Sequence, residues 1–545
     1  MKTLKYLLIT FYLLLSLSSY AQLSPVLPFL TKSEPRSAII TDEAYKDTIP
    51  SQSALIRLSN DKIACMIKEN GVMKPFFIKA IETGYWDTRY EADTNYDNVF
   101  ADMREMGANT AYVMLHWEDI ETADNQFDFN FADSIVAAAN RQQLKLKWIL
   151  FLHAQTNGVP SQHSETAWTF HLDDRDSCNY TMQWPKKNGE VLKTIKELNE
   201  KGGIRPLHVY GHPEIFYRIR RMLYQLATHY RNSSTVIGVQ LGNEEGFSFL
   251  DESDYNPVTA ELYKEWKHKT NKTDYAQFKK EAIDWWWQQF TNAFHEGDPY
   301  KILSFNLDAG QAEAGDEERV KMTGTSAATY ANGNLDAIGT MLYKGWGYRA
   351  FLGLDNYYGD SYTRQLPILI PSEIGIGVFN TPVYFRHFII HSLERGAQGF
   401  GVYCYGEVRK ELPGKKKERE DLIQIFQKIQ ANEDLVFAGL PGSGYAFCST
   451  NESNIQLSHL NVNGKETLVM LYFPDAKSLS ESDNKKIDVE IDCTAREKGS
   501  YQISICSKGS EPEHIKVDLK ENKSTKIKLP HFDQTDVAFI KIKKI

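Results

Sequence analysis

From about residue 75 to residue 430 the chain alternates short apolar, β-branched runs with amphipathic helical ones, and few folds accommodate that pattern. Strands are expected at 76–81, 110–115, 147–152, from 236 onward, 302–306, 337–343, 368–371 and 399–403. Between them, Tyr96, Val99, Phe100, Met103 and Met106 recur at helical spacing ahead of a helix-stopping Gly107. Pro213 opens a helix that runs to 230, with Ile215, Ile219, Met222, Leu223 and Leu226 on its buried face. Further helices are expected at 131–140, 274–295, 383–395 and 418–430. Within the 274–295 helix, Trp285, Trp286 and Trp287 cannot share one face and read as packing residues. Repeated strand–helix units demand parallel strands, so the expected class is α/β, a (β/α)8 TIM barrel over residues 75–432.

Two of these strands stop at acids. The run from Val236 meets Asn243-Glu244-Glu245, and the run Leu366-Pro-Ile-Leu-Ile-Pro-Ser meets Glu373. In such a barrel the C-terminal strand ends form the reactive face, so two acids placed there can meet across its top. A carboxyl pair of that kind is what glycosidic bond cleavage needs: one to protonate the leaving oxygen, the other to attack the anomeric carbon or activate water.

The rest of the chain frames the barrel. Lys2 and Lys5, the apolar run 6–17 and Ser19-Tyr20-Ala21 read as a signal peptide over residues 1–21, directing the protein to the periplasm or outside the cell. The apolar run is shorter than the ~20 residues a span requires, so no membrane anchor is expected. Residues 22–74, with Pro25, Pro28, Pro35 and Pro50, form a leader whose short strands pack on the barrel. The polar stretch 154–206, bearing Trp168 and Trp184, is either a wall of the cleft or a remote decoration. Residues 433–545 change texture: short alternating runs, two of them flanking Asn463-Gly464, indicate an all-β sandwich domain with a structural role. A net charge of −9 argues against nucleic acid as a partner. Six cysteines show no metal-ligand spacing, and no cofactor is expected; Cys493 and Cys506 flank a possible hairpin and are the disulfide candidates.

At the acid-bearing strands the sequence resembles a known group. Val239-Gln-Leu-Gly-Asn-Glu244 resembles the strand-four signature of clan A glycoside hydrolases, and Ile-Gly-Val-Gln-x-x-Asn-Glu is similar to β-galactosidases of families 35 and 42. Gly107-Ala-Asn-Thr, His116-Trp-Glu and Phe127-Asp-Phe follow the order of those families' second β/α unit, and Gly396-Ala-Gln-Gly-Phe resembles their strand eight. The resemblance covers residues 75–430. It implies that Glu244 is the acid/base, Glu373 the nucleophile, Asn243 a contact to the sugar hydroxyl beside the reacting carbon, and Tyr343 a hydrogen-bond donor to the nucleophile. Trp117, His116 and His153 would approach the sugar. Two departures stand out: Glu245 doubles the acid, and Glu373 sits in a short Pro371-Ser-Glu motif.

The implied activity is that of a secreted retaining exo-glycosidase acting on terminal β-galactosides of an oligosaccharide or polysaccharide. Alternatives are a β-mannosidase, β-glucosidase or α-arabinosidase of the same clan, or a non-catalytic glycan-binding barrel, against which the presence of both Glu244 and Glu373 speaks. A metal-dependent barrel hydrolase would call for a His-x-His strand motif that the sequence lacks.

Overall fold

The computed structural model describes residues 34, 36–83, 95–152, 180–202, 206–243, 246, 253–307, 321–326, 329, 332–344, 368–410, 414–442, 444–451, 455–462, 466–473, 486–506, 512–533 and 537–545. The expected signal peptide, Trp168, Cys178 and the Asn463-Gly464 turn lie outside these residues.

Eight parallel strands close into a barrel: β1 (Ile78–Glu82), β2 (Thr110–His116), β3 (Lys145–Phe151), β4 (Val236–Leu241), β5 (Ile302–Leu307), β6 (Ala337–Leu342), β7 (Glu373–Gly375) and β8 (Gly399–Tyr403). Each pairs with the next, and β8 returns to β1 with Gly399 opposite Ile78. The apolar run ahead of β7 pairs with β6 at Ile368–Leu369, and the Ile370 and Ser372 amides go on donating to the Ile338 and Thr340 carbonyls at 2.9 and 3.2 Å, so the ladder reaches Glu373 opposite Met341. Pro371 has no N–H to donate, but its carbonyl accepts from the Gly401 amide of β8 at 2.8 Å. Glu373 thus stands on the continuation of the expected strand.

Alternation along the strands decides what faces inward. Ile78, Tyr112, Ile149, Ile237, Ile302, Ile368 and Ile370 fill the lower interior. A leader sheet of Ile40–Asp42, Ser53–Arg57, Ile63–Glu69 and Val72–Pro75 packs Leu55, Cys65 and Ile67 against them. The opposite faces of the strands meet the helices α1 (Tyr96–Glu105), α2 (Asn130–Arg141), α3 (Pro213–Tyr230), α4 (Pro257–Thr270), α5 (Tyr275–Gly297), α6 (Pro382–Glu394) and α7 (Lys416–Gln430). The Asn95 side chain caps α1 by accepting from the Asp97 and Asn98 amides at 3.0 and 3.3 Å. All three tryptophans of α5 are buried because that helix is covered on more than one side. Trp285 stacks on Phe216 of α3, Trp286 meets Tyr210, and Trp287 meets Phe305 of β5.

The described part of the stretch between β3 and α3 is anchored to the barrel top. Residues 180–202 carry a hairpin (Lys186–Lys187 with Glu190–Val191) over a small core of Met182, Trp184, Leu192, Ile195 and Leu198. Asp254 accepts from the Trp184 amide at 2.7 Å, and the Asn256 side chain donates to the Met182 carbonyl at 2.7 Å. Buried Gln183 donates its amide to the carbonyls of His208 and Gly246 at 3.1 and 3.0 Å. Gly246 follows the Asn243-Glu244-Glu245 sequence, so the described part of this insertion reaches the reactive face.

The C-terminal region is a two-sheet β structure with strands β9 (Ala446–Ser449), β10 (Gln456–Val462), β11 (Glu466–Tyr472), β12 (Lys486–Ala495), β13 (Gly499–Cys506), β14 (Glu513–Leu519), β15 (Ser524–Asp533) and β16 (Ala538–Lys544). One sheet runs β10-β11-β16-β13-β14 with Leu440–Pro441 at its edge; the other runs β9-β12-β15. Leu460, Leu468, Met470, Val537 and Phe539 join the barrel's helix-facing core, and Lys428 of α7 donates to the Val537 carbonyl at 2.8 Å. The expected Cys493–Cys506 hairpin does not form, because the chain crosses from one sheet to the other between β12 and β13. Cys493 instead stands directly across from Cys448 on β9.

Candidate active site

The C-terminal ends of β4, β5 and β6 and the start of β7 converge on one carboxylate. At the end of β4, Gly242 takes a φ of 69°, a left-handed conformation that glycine adopts without strain, and the chain turns into Asn243. Asn306 ends the inward row Ile302, Ser304, Asn306 of β5 and is fully buried. Tyr343 follows directly on β6, and Glu373 opens β7 with 4% of its surface exposed.

Both oxygens of Glu373 are held. The Tyr343 hydroxyl donates to Oε2 at 2.6 Å, and the Asn306 amide donates to Oε1 at 2.7 Å. The same Asn306 nitrogen donates to Asn243 Oδ1 at 2.8 Å. Tyr343 can approach this closely because residue 375 is glycine: a Cβ there would lie 2.5 Å from the Tyr343 ring. Burial, then the Glu373 carboxylate, push the Tyr343 hydroxyl well above its ordinary pKa, so it stays protonated and remains a donor. Two donated bonds favour the ionised form of a carboxylate. An ionised, oriented, largely dry carboxylate is equipped to act as a nucleophile or a base.

The surrounding strand ends are charged and aromatic. Tyr403 at the end of β8 meets the Tyr343 ring edge-on at 6.1 Å. Glu82 ends β1 fully buried, and its charge is felt at Tyr343. Lys147 of β3 is buried with its Nζ 4.7 Å from the centre of the Tyr112 ring. Burial pushes Lys147 down to about 7, with Glu82 opposing.

The expected site residues divide into three groups. The structure brings Asn243, Tyr343 and Glu373 together. His116 is buried at the end of β2, stacked on Phe151 at 5.2 Å, with Nδ1 3.9 Å from Glu118. Trp117 is not brought to this cluster: its N–H donates to Glu121 at 2.7 Å and its ring packs edge-on against His208, within the helix-facing core. The cause is a short helix, Trp117–Ile120, which turns the chain as soon as the strand ends. Glu244, Glu245 and His153 lie outside the described residues. Asn306 is the participant that sequence reasoning missed; its signal was its position as the last inward residue of an expected strand.

A cavity of about 460 Å3 lies elsewhere, lined by Glu43, Asn60, Met66, Glu433 and Phe437 among others, between the leader sheet and the chain beyond α7. Among the described residues no group of three or more His, Cys, Asp or Glu side chains is placed to hold a metal ion, and no helix is long and apolar enough to cross a membrane.

No family model matches the sequence, and no curated protein is similar to it. Among solved structures, a glycoside hydrolase family 5 protein from Bacteroides vulgatus ATCC 8482 aligns over 94% of this chain and 96% of its own, at 13% identity and a TM-score of 0.50. A β-galactosidase from the psychrophilic Marinomonas ef1 aligns at 12% identity and a TM-score of 0.47. That alignment covers 67% of this chain and 62% of the β-galactosidase, so the chain spans less than two thirds of the latter's length. At this identity the Bacteroides match shows the fold: a (β/α)8 barrel followed by a C-terminal β domain.

Proposed function

We propose that this chain is an exported retaining exo-glycosidase that hydrolyses terminal β-galactosides, or closely related β-glycosides, of an oligosaccharide or polysaccharide. The observation that carries the reading is the bracketing of Glu373 by Tyr343 and Asn306, with Asn243 on the same amide. Asn243 directly precedes Glu244 in the sequence, and the reading takes its second carboxylate from that next residue. The barrel shared with a glycoside hydrolase family 5 protein is compatible with this reading, and the choice of galactose rests on the sequence motif around Glu244.

The chemistry follows from the two roles. Glu373 attacks the anomeric carbon while Glu244 protonates the glycosidic oxygen; a carbon–oxygen bond to the enzyme forms as the bond to the aglycone breaks. Glu244, now ionised, takes a proton from water, the water oxygen attacks the same carbon, and Glu373 departs as the carboxylate. Two inversions give net retention when the carboxyl groups stand about 5–5.5 Å apart. Asn243 would hold the neighbouring hydroxyl.

The test is a panel of aryl β-galactoside, β-mannoside, β-glucoside and α-arabinoside, assayed with wild type, Glu373→Gln and Glu244→Gln. Wild type should cleave at least one with retention, Glu373→Gln should be inactive, and Glu244→Gln should keep more first-step activity on nitrophenyl than on unactivated glycosides. Full activity of Glu373→Gln overturns the reading; loss of activity on chelation favours a metal-dependent hydrolase.

A further inference from the structure

Asn306 was singled out by no motif, yet its side chain touches both strands to which the two roles are assigned. Its one NH2 group gives one N–H to Glu373 on β7 and the other to Asn243 at the end of β4. The orientation of such an amide is settled by its neighbours, and here the chemistry leaves one choice. Facing a carboxylate, an amide must present nitrogen, since presenting oxygen would set two acceptors against each other. With nitrogen toward Glu373, Asn306 also offers nitrogen to Asn243, which must answer with its oxygen. Asn243 is then left with its own NH2 as the group turned away from Asn306.

We propose that Asn306 is a positioning residue that relays hydrogen-bond polarity from Glu373 to Asn243, fixing the nucleophile's carboxylate and the sugar-binding amide in one arrangement. This rests on the glycosidase reading for its meaning but not for its geometry. The relay works in one direction: a protonated Glu373 could offer a donor to Asn306, and the fixed amide order would be lost. Asn306 also supports both halves of the reaction. Its N–H bond is strongest to the free carboxylate, so it holds the nucleophile ionised before attack and stabilises it again as the leaving group when water displaces it.

A second donor reaches the same carboxyl. Tyr343 of the β6 end donates to it. Tyr403 stands on the adjacent β8, Glu82 of β1, His116 of β2 and Lys147 of β3 stand on strands farther round the barrel, and Glu244 and Glu245 follow Asn243 in sequence. Only Asn306 bridges Glu373 and Asn243 among the described residues.

The experiment uses the full mature chain and two variants, Asn306→Ala and the nearly isosteric Asn306→Asp. Protonation of Glu373 is followed directly by infrared difference spectroscopy on protein with isotope-labelled glutamate, with Glu373→Gln identifying its band. Proton uptake should move to higher pH, by about one unit in Asn306→Ala and further in Asn306→Asp, where a second carboxyl faces Glu373. The acidic limb of kcat/KM on the best aryl glycoside should move with it. In Asn306→Ala, kcat should fall and KM should rise, because nucleophile and sugar contact are disturbed together. An unmoved titration and an unmoved acidic limb in a folded variant overturn the inference; a role confined to stability would give that result. The two claims fail separately. A wild type without glycosidase activity whose Glu373 band still shifts refutes the function and keeps the relay, whereas an active enzyme with an unmoved band refutes the relay alone. Should neither variant fold, Asn306→Ser takes their place in the same titration, and an unmoved Glu373 band there overturns the relay.

Discussion

Tyr343→Phe removes one oxygen atom from the site and leaves the packing nearly untouched. The ring remains wedged between Phe379 at 5.7 Å and Tyr403 at 6.1 Å, and Gly375 still admits it. What is lost is a donor 2.6 Å from Glu373 Oε2. A hydrogen bond to a charged group is worth about 1.5–3 kcal/mol. At about 1.4 kcal/mol per decade of rate, kcat/KM should fall about 10- to 150-fold. The sign of the pH effect follows too: with one donor gone, the protonated form of Glu373 becomes easier to reach, so the acidic limb moves to higher pH. The assay is a pH series of kcat/KM on an aryl glycoside, with circular dichroism as the control for folding. A variant within threefold of wild type at every pH would refute the role given to this bond.

Other consequences are equally direct. Gly375→Ala places a methyl carbon 2.5 Å from the Tyr343 ring and 2.7 Å from the Phe379 side chain. It should lower stability by about 1–3 kcal/mol and lower activity as much as Tyr343→Phe does, and the double variant should be little worse than Gly375→Ala alone. Burial pushes Lys62 and Lys147 down to about 7, far below the ordinary lysine range. Between pH 7 and 8.5 the unfolded chain therefore binds protons that the folded chain does not, so these two groups make stability rise with pH, by up to about 1.4 kcal/mol per unit for each. Urea unfolding across that range should show a shallower rise in Lys62→Met than in wild type; an identical slope contradicts the assignment. Cys448 and Cys493 are buried and directly opposed across antiparallel strands. Such pairs place their Cα atoms about 4.5–5.5 Å apart, within the range a disulfide spans. Protein exported through an oxidising compartment should have this pair joined, its electrons passed to a thiol–disulfide oxidant, while Cys506 remains open to alkylation. Peptide mapping that links Cys493 to Cys506 would contradict the register.

Much of the barrel was legible because its signals are local. The helix Pro213–Tyr230 carries its own start signal and a complete apolar face, and each strand's apolar run sits beside a helical one. The placing of Asn243, Tyr343 and Glu373 at strand ends was legible for the same reason. What escaped depended on what happens after an element ends. Trp117 looked like a cleft residue because it follows a strand, but one helical turn carries it toward Glu121. Cys493 and Cys506 looked like hairpin partners because nothing in the intervening residues announces a change of sheet. Asn306 escaped most completely. Its amide is defined by a carboxylate 67 positions later and an asparagine 63 positions earlier, and no periodicity encodes such a meeting.

The most direct measurement is to trap the reaction midway. A fluorinated version of the aryl glycoside that the panel finds cleaved best should form a slowly hydrolysed glycosyl–protein ester, and digestion followed by mass spectrometry reads which residue carries it. The expected result is one sugar per chain on Glu373, absent in Glu373→Gln and released when an acceptor is added. A label on any other carboxylate, or hydrolysis with inversion and no trapped ester, would contradict the role of Glu373 as nucleophile.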